Sequence, residues 1–233
     1  MIRSLSLSLA LSSTLILAAC EDPAEGVAPA TVSPATAPAT TETAGTVAAG
    51  GRTASAAATA RETLAIDRAT SSVGFTGSKV TGSHDGTFGE FDGSIDLDPA
   101  SVTASSVRVT IQVASLAIEP ERLATHLRTG DFFQVDQFPT ATFESTSITA
   151  GATGNVGDRP ATHTVAGNLT MRGQTRAISF PAIVTVGDDA VTAQSEFSIN
   201  RQDFGIAYAG MPDDLIRNDV IIRFSVRAPR AAS

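Results

Sequence analysis

The sequence predicts an all-β domain, an antiparallel barrel or sandwich with one short helix, and three observations carry that prediction. Apolar and polar residues alternate with a period of two in run after run, and clusters of Gly, Pro, Asn and Asp separate the runs. One stretch alone shows apolar residues four apart between a Pro and a Gly. Strict alternation means that each strand has one dry face and one wet face, as in an antiparallel sheet.

Taken from the N-terminus, residues 1–19 read as an export leader. Arg3 is the only charge before Glu21, and Leu5 to Leu17 is about as long as a signal-peptide core but too short and Ser-rich for a good membrane span. The run ends Leu17-Ala18-Ala19-Cys20, which resembles the bacterial lipobox, whose Cys takes a diacylglycerol and becomes the mature N-terminus. The alternative is ordinary secretory cleavage beside a chance Cys. Cys20 is the only Cys, so intrachain disulfides and Cys-rich metal clusters are excluded, and the one thiol stands where the modification needs it. Two or more acyl chains make a stable anchor where one is marginal. The expected location is the bacterial cell envelope, as a periplasm-facing lipoprotein.

Residues 20–61 form the expected tether. This stretch is Ala, Thr, Pro and Gly with a few acids and no aromatic residue, and it lacks either apolar period. Such a composition cannot offset its ordering entropy, so a disordered coil with a root-mean-square reach of about 35 Å is expected.

Residues 62–229 form the folded domain, followed by a tail over 230–233. The clearest strand is Val107 to Val113, where Val, Val, Ile and Val alternate with Arg, Thr and Gln. The period returns at Val73 and Phe75, over Phe91 to Leu97, at Ala141 and Phe143, over Val165 to Met171, over Ser195 to Ile199 and over Val220 to Val226. Turn signals lie at Gly82 to Gly86, Asp98-Pro99, Gly151 to Pro160, Arg172-Gly173-Gln174 and Gly187-Asp188-Asp189. The exception is Glu119 to Gly130: Pro120 suits a helix start, Leu123 and Leu127 share a face, and Gly130 closes the end.

The charge balance disfavours a phosphate backbone as partner, with 16 Lys plus Arg against 24 Asp plus Glu and a net charge of −8. Enzyme signatures are missing as well. There is no Gly-x-Ser-x-Gly and no Gly-rich dinucleotide turn. His84-Asp85 is the only adjacent His–carboxylate pair, and it has no nucleophile assigned to it. His84, His126 and His163 are too scattered to read as a metal site, and Asp213-Asp214 lacks the EF-hand pattern. The chain reads as a binding protein, with neither catalytic residues nor a resident cofactor.

Several segments together carry a family resemblance. They are Ser78-Lys79-Val80-Thr81-Gly82-Ser83-His84-Asp85-Gly86, His126 to Phe133 running on to Phe138-Pro139-Thr140-Ala141-Thr142-Phe143, Gly167-Asn168-Leu169-Thr170-Met171-Arg172-Gly173, and Asn200-Arg201-Gln202-Asp203-Phe204-Gly205. In order and spacing they resemble the YceI-like family. The commoner family form has Arg-Asp at the helix start, where this chain has Arg122-Leu123. The resemblance implies a lipocalin-like antiparallel barrel of about eight strands that binds a polyisoprenoid lipid in the periplasm, here as a lipoprotein variant.

A lipid-binding barrel needs an apolar inner wall with no buried charge. The wall candidates are Phe75, Phe91, Val109, Ile111, Phe143, Leu169, Phe197 and Ile222, with Leu127, Phe132, Phe133 and Phe204 at the mouth. An eight-stranded barrel is just wide enough either to fill itself with side chains or to hold one slender ligand. A filled barrel acting as a protein-interaction or envelope-stress module is therefore the competing expectation. Head-group candidates at the rim are Lys79, His84, Arg122, His126, Arg128 and Arg201, where Arg suits phosphate and His suits a quinone oxygen. A structural role competes for four of them: a solvated helix face for Arg122 and Arg128, a local hydrogen bond for His126, and a pair with Asp203 or another nearby acid for Arg201.

Overall fold

The computed structural model of the chain describes residues 22–35 and 61–230. The expected leader 1–19, the anchor candidate Cys20, residues 36–60 of the expected tether and the last tail residues 231–233 lie outside the described residues. The strands are β1 (Thr31–Pro34), β2 (Glu62–Ala65), β3 (Ser72–Lys79), β4 (Gly82–Phe88), β5 (Phe91–Leu97), β6 (Ser106–Gln112) and β7 (Leu116–Ile118). The helix α1 (Glu121–Leu127) follows, then β8 (Thr140–Ala150), β9 (Asn155–Val156), β10 (Arg159–Pro160), β11 (His163–Met171) and β12 (Gln174–Val186). The chain ends with β13 (Ala190–Asn200), β14 (Gly210–Met211), β15 (Asp214–Leu215) and β16 (Asp219–Pro229).

The antiparallel pairings run β3·β16·β13·β12·β11·β8·β6. β4 and β5 are one arm broken at Gly89-Glu90, and β6 and β7 are another broken by the short 3-10 turn Val113–Ser115. Because β3 pairs with β4, β4 with β7 and β5 with β6, these two arms close the ring. Arms β3, β4–β5, β6–β7, β8, β11, β12, β13 and β16 thus make the expected antiparallel barrel, with β2 continuing the line of β3 along β5. One end, the helix end, carries α1, the β3–β4 tip, the Arg172-Gly173 turn and the small β14–β15 hairpin. The opposite end carries the loops after Leu97 and Ala150 and the Gly187 turn.

Two readings of the sequence are corrected by these strands. Gly82 to Gly86 is strand, not turn; the β3–β4 turn is Val80-Thr81, since Lys79 stands opposite Gly82. Gly86 serves packing there: a Cβ on it would come 2.4 Å from the Phe75 ring. The longest strand, β12, has no counterpart among the expected runs, because Pro181 and the apolar stretch around it hide the alternation.

The tether expectation is corrected over residues 22–35. β12 pairs with β13 only from Ile183 to Val186, and toward the helix end the two strands part. Residues 28–34 fill that seam. β1 runs antiparallel to Arg176–Ser179, while Ala30 N donates to Ser198 O (2.8 Å) and Ser198 N donates to Ala28 O (3.0 Å). Val32 stands opposite Ile178, so Ala30 and Val32 turn inward and pack against the cluster that contains Ile178, Phe180, Phe197 and Ile199. The two strand edges supply the backbone partners that this polar, Pro-rich segment cannot supply itself, and composition does not register that. Asp22 further anchors the segment by accepting from Arg217 Nη1 at 2.6 Å.

Candidate functional site

Inside the ring lies a cavity of about 320 Å³, at the lower end of the roughly 300–1,000 Å³ typical of small-molecule sites. Its wall is the dry face of the strands. Phe75, Val109, Ile111, Phe143, Leu169, Phe197 and Ile222 all line it, and Leu127, Phe132 and Phe133 line it at the helix end. Phe91 and Phe204 do not, and for these two the expected place is corrected. Phe91 is 3% exposed and Phe204, in the 3-10 turn after β13, is fully buried; both are closed into the packed shell. Alternation tells which face a residue is on but not whether packing leaves free volume beside it.

The lining also includes Phe88, Ile178, Phe180 and Phe224, which the sequence reading did not single out. Phe180 is central: its ring stacks on Phe197 at 4.3 Å and meets Phe143 at 5.5 Å and Phe224 at 5.8 Å. A second group sits toward the helix end, with Phe88 5.6 Å from Phe75 and 6.2 Å from Phe133. Gly167 makes room for the first group, since a Cβ there would lie 2.5 Å from the Phe143 ring. The alternation of β16 marked Phe224 as inward-facing; the signal for Phe180 was masked by Pro181.

Apart from backbone, the polar lining is Ser78, Lys79, His84, Ser105 and Arg201, and no carboxylate lines the cavity. Three of the six head-group candidates, Lys79, His84 and Arg201, therefore reach it, and all three are at the helix end. Each is tied down. Lys79 Nζ donates to Asp214, whose other oxygen accepts from Thr81 N (3.2 Å) and Thr81 Oγ1 (2.9 Å). These bonds, led by that from Lys79, hold the Asp214 carboxyl below its ordinary value. His84, on β4 and not in a turn, places Nδ1 3.0 Å from Glu119 O.

Arg201 is 4% exposed and, among the described residues, has no carboxylate within ion-pair distance, so the expected pairing with Asp203 or another nearby acid is not formed there. Instead Nε donates to Arg217 O (3.0 Å), Nη1 to Ile206 O (2.6 Å), and Nη2 to Ile216 O (3.3 Å) and Asn218 Oδ1 (3.4 Å). Burial lowers its pKa. The guanidinium thereby fixes residues 206–218 over the helix end, with its charge facing carbonyl oxygens.

The other three candidates lie off the cavity. Arg122 is exposed on α1. Arg128 donates to Leu116 O (2.5 Å) and Glu121 (3.3 Å), and His126 bonds Asp131 at 2.9 Å while meeting the Phe132 and Tyr208 rings edge-on at 5.1 and 5.3 Å. These contacts seat the helix on the barrel. Among the described residues no group of three or more His, Cys, Asp or Glu could hold a metal, and no helix is long and apolar enough to cross a membrane.

The family model of the YceI-like domain matches residues 64–228. A UPF0312 protein of Pseudomonas aeruginosa is 35% identical over 127 residues, which is 52% of this chain and 62% of that protein. A UPF0312 protein of Vibrio cholerae is 34% identical over 131 residues, 54% of this chain and 66% of that protein. The chain thus spans less than two thirds of the length of these relatives. Among solved structures, BcnA of Burkholderia cenocepacia superposes with a TM-score of 0.60 at 26% identity, covering 70% of this chain and 99% of that one. A polyisoprenoid binding domain from Saccharophagus degradans, implicated in plant cell wall breakdown, shares the fold with a TM-score of 0.56 at 16% identity, covering 72% of this chain and 98% of that one.

Proposed function

The chain belongs to the YceI-like family, and from that premise we propose that its barrel binds an isoprenoid lipid, of the prenyl quinone or polyprenyl phosphate type, as a membrane-tethered periplasmic carrier or sensor. The observation that carries this reading is the cavity: an apolar tube inside a closed ring, lined by stacked Phe rings and branched aliphatic residues. Its lining runs along β13 from Val191 to Ile199, which at about 3.3 Å per residue is roughly 26 Å, enough to sheathe several isoprene units. The Saccharophagus degradans domain that shares the fold is a polyisoprenoid binding domain, which supports the same ligand class.

The energetics favour exchange over permanent retention. At about 0.8 kcal/mol per buried CH₂, a long prenyl chain taken from water would exceed the practical affinity ceiling of roughly 18–21 kcal/mol. The chain comes instead from a bilayer, where it is already dry, so the net transfer free energy is small and the lipid can be passed on. Selectivity then rests on shape and on the head group, which we place at the helix end, where Lys79, His84 and Arg201 are the cationic or titratable lining groups. An anchor at Cys20 would hold the barrel near its lipid source at high effective concentration.

The test is organic extraction of the protein purified from its own envelope, followed by mass spectrometry. A stoichiometric prenyl quinone or polyprenyl phosphate is expected; repeated absence of any isoprenoid lipid would overturn the reading.

A further inference from the structure

Among the described residues, the large apolar side chains left exposed are Val80, Met211 and Leu215, at 49%, 62% and 49%. Far apart in sequence, they occupy one place. Val80 is in the β3–β4 turn, and Met211 and Leu215 are in the β14–β15 hairpin. Val80 N donates to Leu215 O (3.1 Å), and Asp214, held by Lys79 and Thr81, joins the same two tips. Single exposed apolar residues are ordinary, whereas apolar residues gathered on fastened hairpin tips mark a contact surface. The tips stand at the helix end, and Lys79 and Ile216 beside them line the cavity.

The N-terminal segment arrives at the same spot. Arg217, two residues beyond Leu215, donates its Nη1 to Asp22 (2.6 Å) and its backbone N to Ser78 O (2.9 Å). Asp22 follows Cys20 by two residues, a reach of about 7 Å. An acyl group on Cys20 would therefore enter the membrane next to the exposed tips, without the long slack of a free tether.

We propose that Val80, Met211 and Leu215 dock into the bilayer interface, so that the barrel stands on the membrane with its helix end, and the cavity behind it, facing the lipid. This inference rests on the reading of the chain as membrane-tethered and does not depend on which lipid it carries. Apolar tips seated at the headgroup–acyl boundary with polar groups around them are a general mode of interfacial attachment.

The chain has no Trp, so one introduced Trp reports its own surroundings. Full-chain Leu215→Trp and Asp188→Trp, the latter at an exposed site in the β12–β13 turn on the opposite end, are each reconstituted into phosphatidylethanolamine–phosphatidylglycerol vesicles containing brominated lipid. Leu215→Trp emission is expected to shift to the blue and fall about twofold or more, while Asp188→Trp stays unchanged. Equal quenching of both, or of neither, overturns the proposal. Adding Val80→Asp and Met211→Asp to Leu215→Trp is expected to restore most of the emission, and no restoration overturns it too. A blue shift that follows protein concentration without vesicles would assign the tips to a second copy, also overturning it. Extraction of the same Leu215→Trp preparation scores the cargo separately: lipid without quenching sinks the docking alone, and quenching without lipid sinks the carrier reading alone.

Discussion

At the helix end the cavity lining includes Ser78, Lys79, His84 and Arg201 among Leu123, Leu127, Phe132 and Phe133, whereas at the opposite end only Ser105 interrupts a wall of Leu97, Val102, Val107, Val186 and Val191. The same ring of strands thus has one end that can meet polar atoms and one that can meet hydrocarbon alone. A single apolar tube thereby has a direction. The opposite end is closed by burial; Leu64, Ile95, Leu97, Val191 and Ala228 form a cluster there with 7% exposure or less. The helix end has a buried cluster of its own, Phe75, Leu116, Ile118, Ala124, Leu127, Phe132 and Ile206, and adds to it the buried Arg201, whose guanidinium donates to the carbonyls of Ile206, Ile216 and Arg217.

The largest effect is expected between the two ends, where one ring serves three others. Phe180→Ala removes the ring shared by Phe143, Phe197 and Phe224, at a cost of about 3–5 kcal/mol. Thermal melting should show a loss of roughly 10 °C or more; a shift within a couple of degrees would mean that the cavity wall collapses to fill the space.

Arg201→Met sharpens the comparison, because it should act at one end only. It strips the carbonyls of Ile206, Ile216 and Arg217 of their buried donor, and each acceptor left unsatisfied costs about 1–3 kcal/mol. Hydrogen exchange should quicken across residues 206–218 while β5 and the Val191 region stay protected. Uniform loss of protection would break the division into two ends.

Ile111→Asp places a carboxylate on a wall that otherwise has none. With the fold retained by circular dichroism, isoprenoid copurification is expected to disappear; unchanged lipid content would put the ligand elsewhere. Val32→Asp is milder. It disturbs the inward side of the strand that fills the β12–β13 seam, at about 1–2 kcal/mol. Faster exchange at Ser179 and Ser198 is expected, and no change there would show that β1 adds nothing to closure.

The smallest effect is one of acidity. Asp214 at the helix end and Glu62 at the other both have carboxyl groups held below their ordinary values, chiefly by hydrogen bonds from Lys79 and Arg230. The unfolded chain takes up these protons first, so their contribution is full above the ordinary carboxylate range and is lost as pH falls through the lowered folded values. Melting temperature should decline between about pH 5 and 2, less steeply in Asp214→Asn; identical slopes would remove Asp214 from the balance.

Much of this structure was legible because a period of two is written into single strands. The Val107–Val113 alternation became β6, with Val109 and Ile111 on the cavity, and the Leu123–Leu127 spacing became α1. What was not legible depended on partners distant in sequence. Gly82 to Gly86 looks like a turn until Phe75 lies across Gly86. β12 carries Phe180, the centre of the aromatic cluster, but Pro181 breaks its pattern. β1 exists because β12 and β13 part and leave two open edges. For the candidate site, the period assigned faces correctly to Phe143 and Leu169, but free volume beside Phe91 and Phe204 is a property of packing in three dimensions. The rim charges were named by type, and sequence does not show that Arg201 turns to carbonyls or that His126 faces Asp131.

The central claim is a tube that takes an isoprenoid chain with its head at the helix end. It is tested most directly by titrating the protein with a prenyl quinone carrying a spin label on its head and reading amide signals by nuclear magnetic resonance. Strong broadening is expected at Leu123, Leu127 and Ile216, with Val186 and Val191 last to respond. Broadening that is uniform, centred on Val186 and Val191, or absent at saturating ligand would contradict the claim.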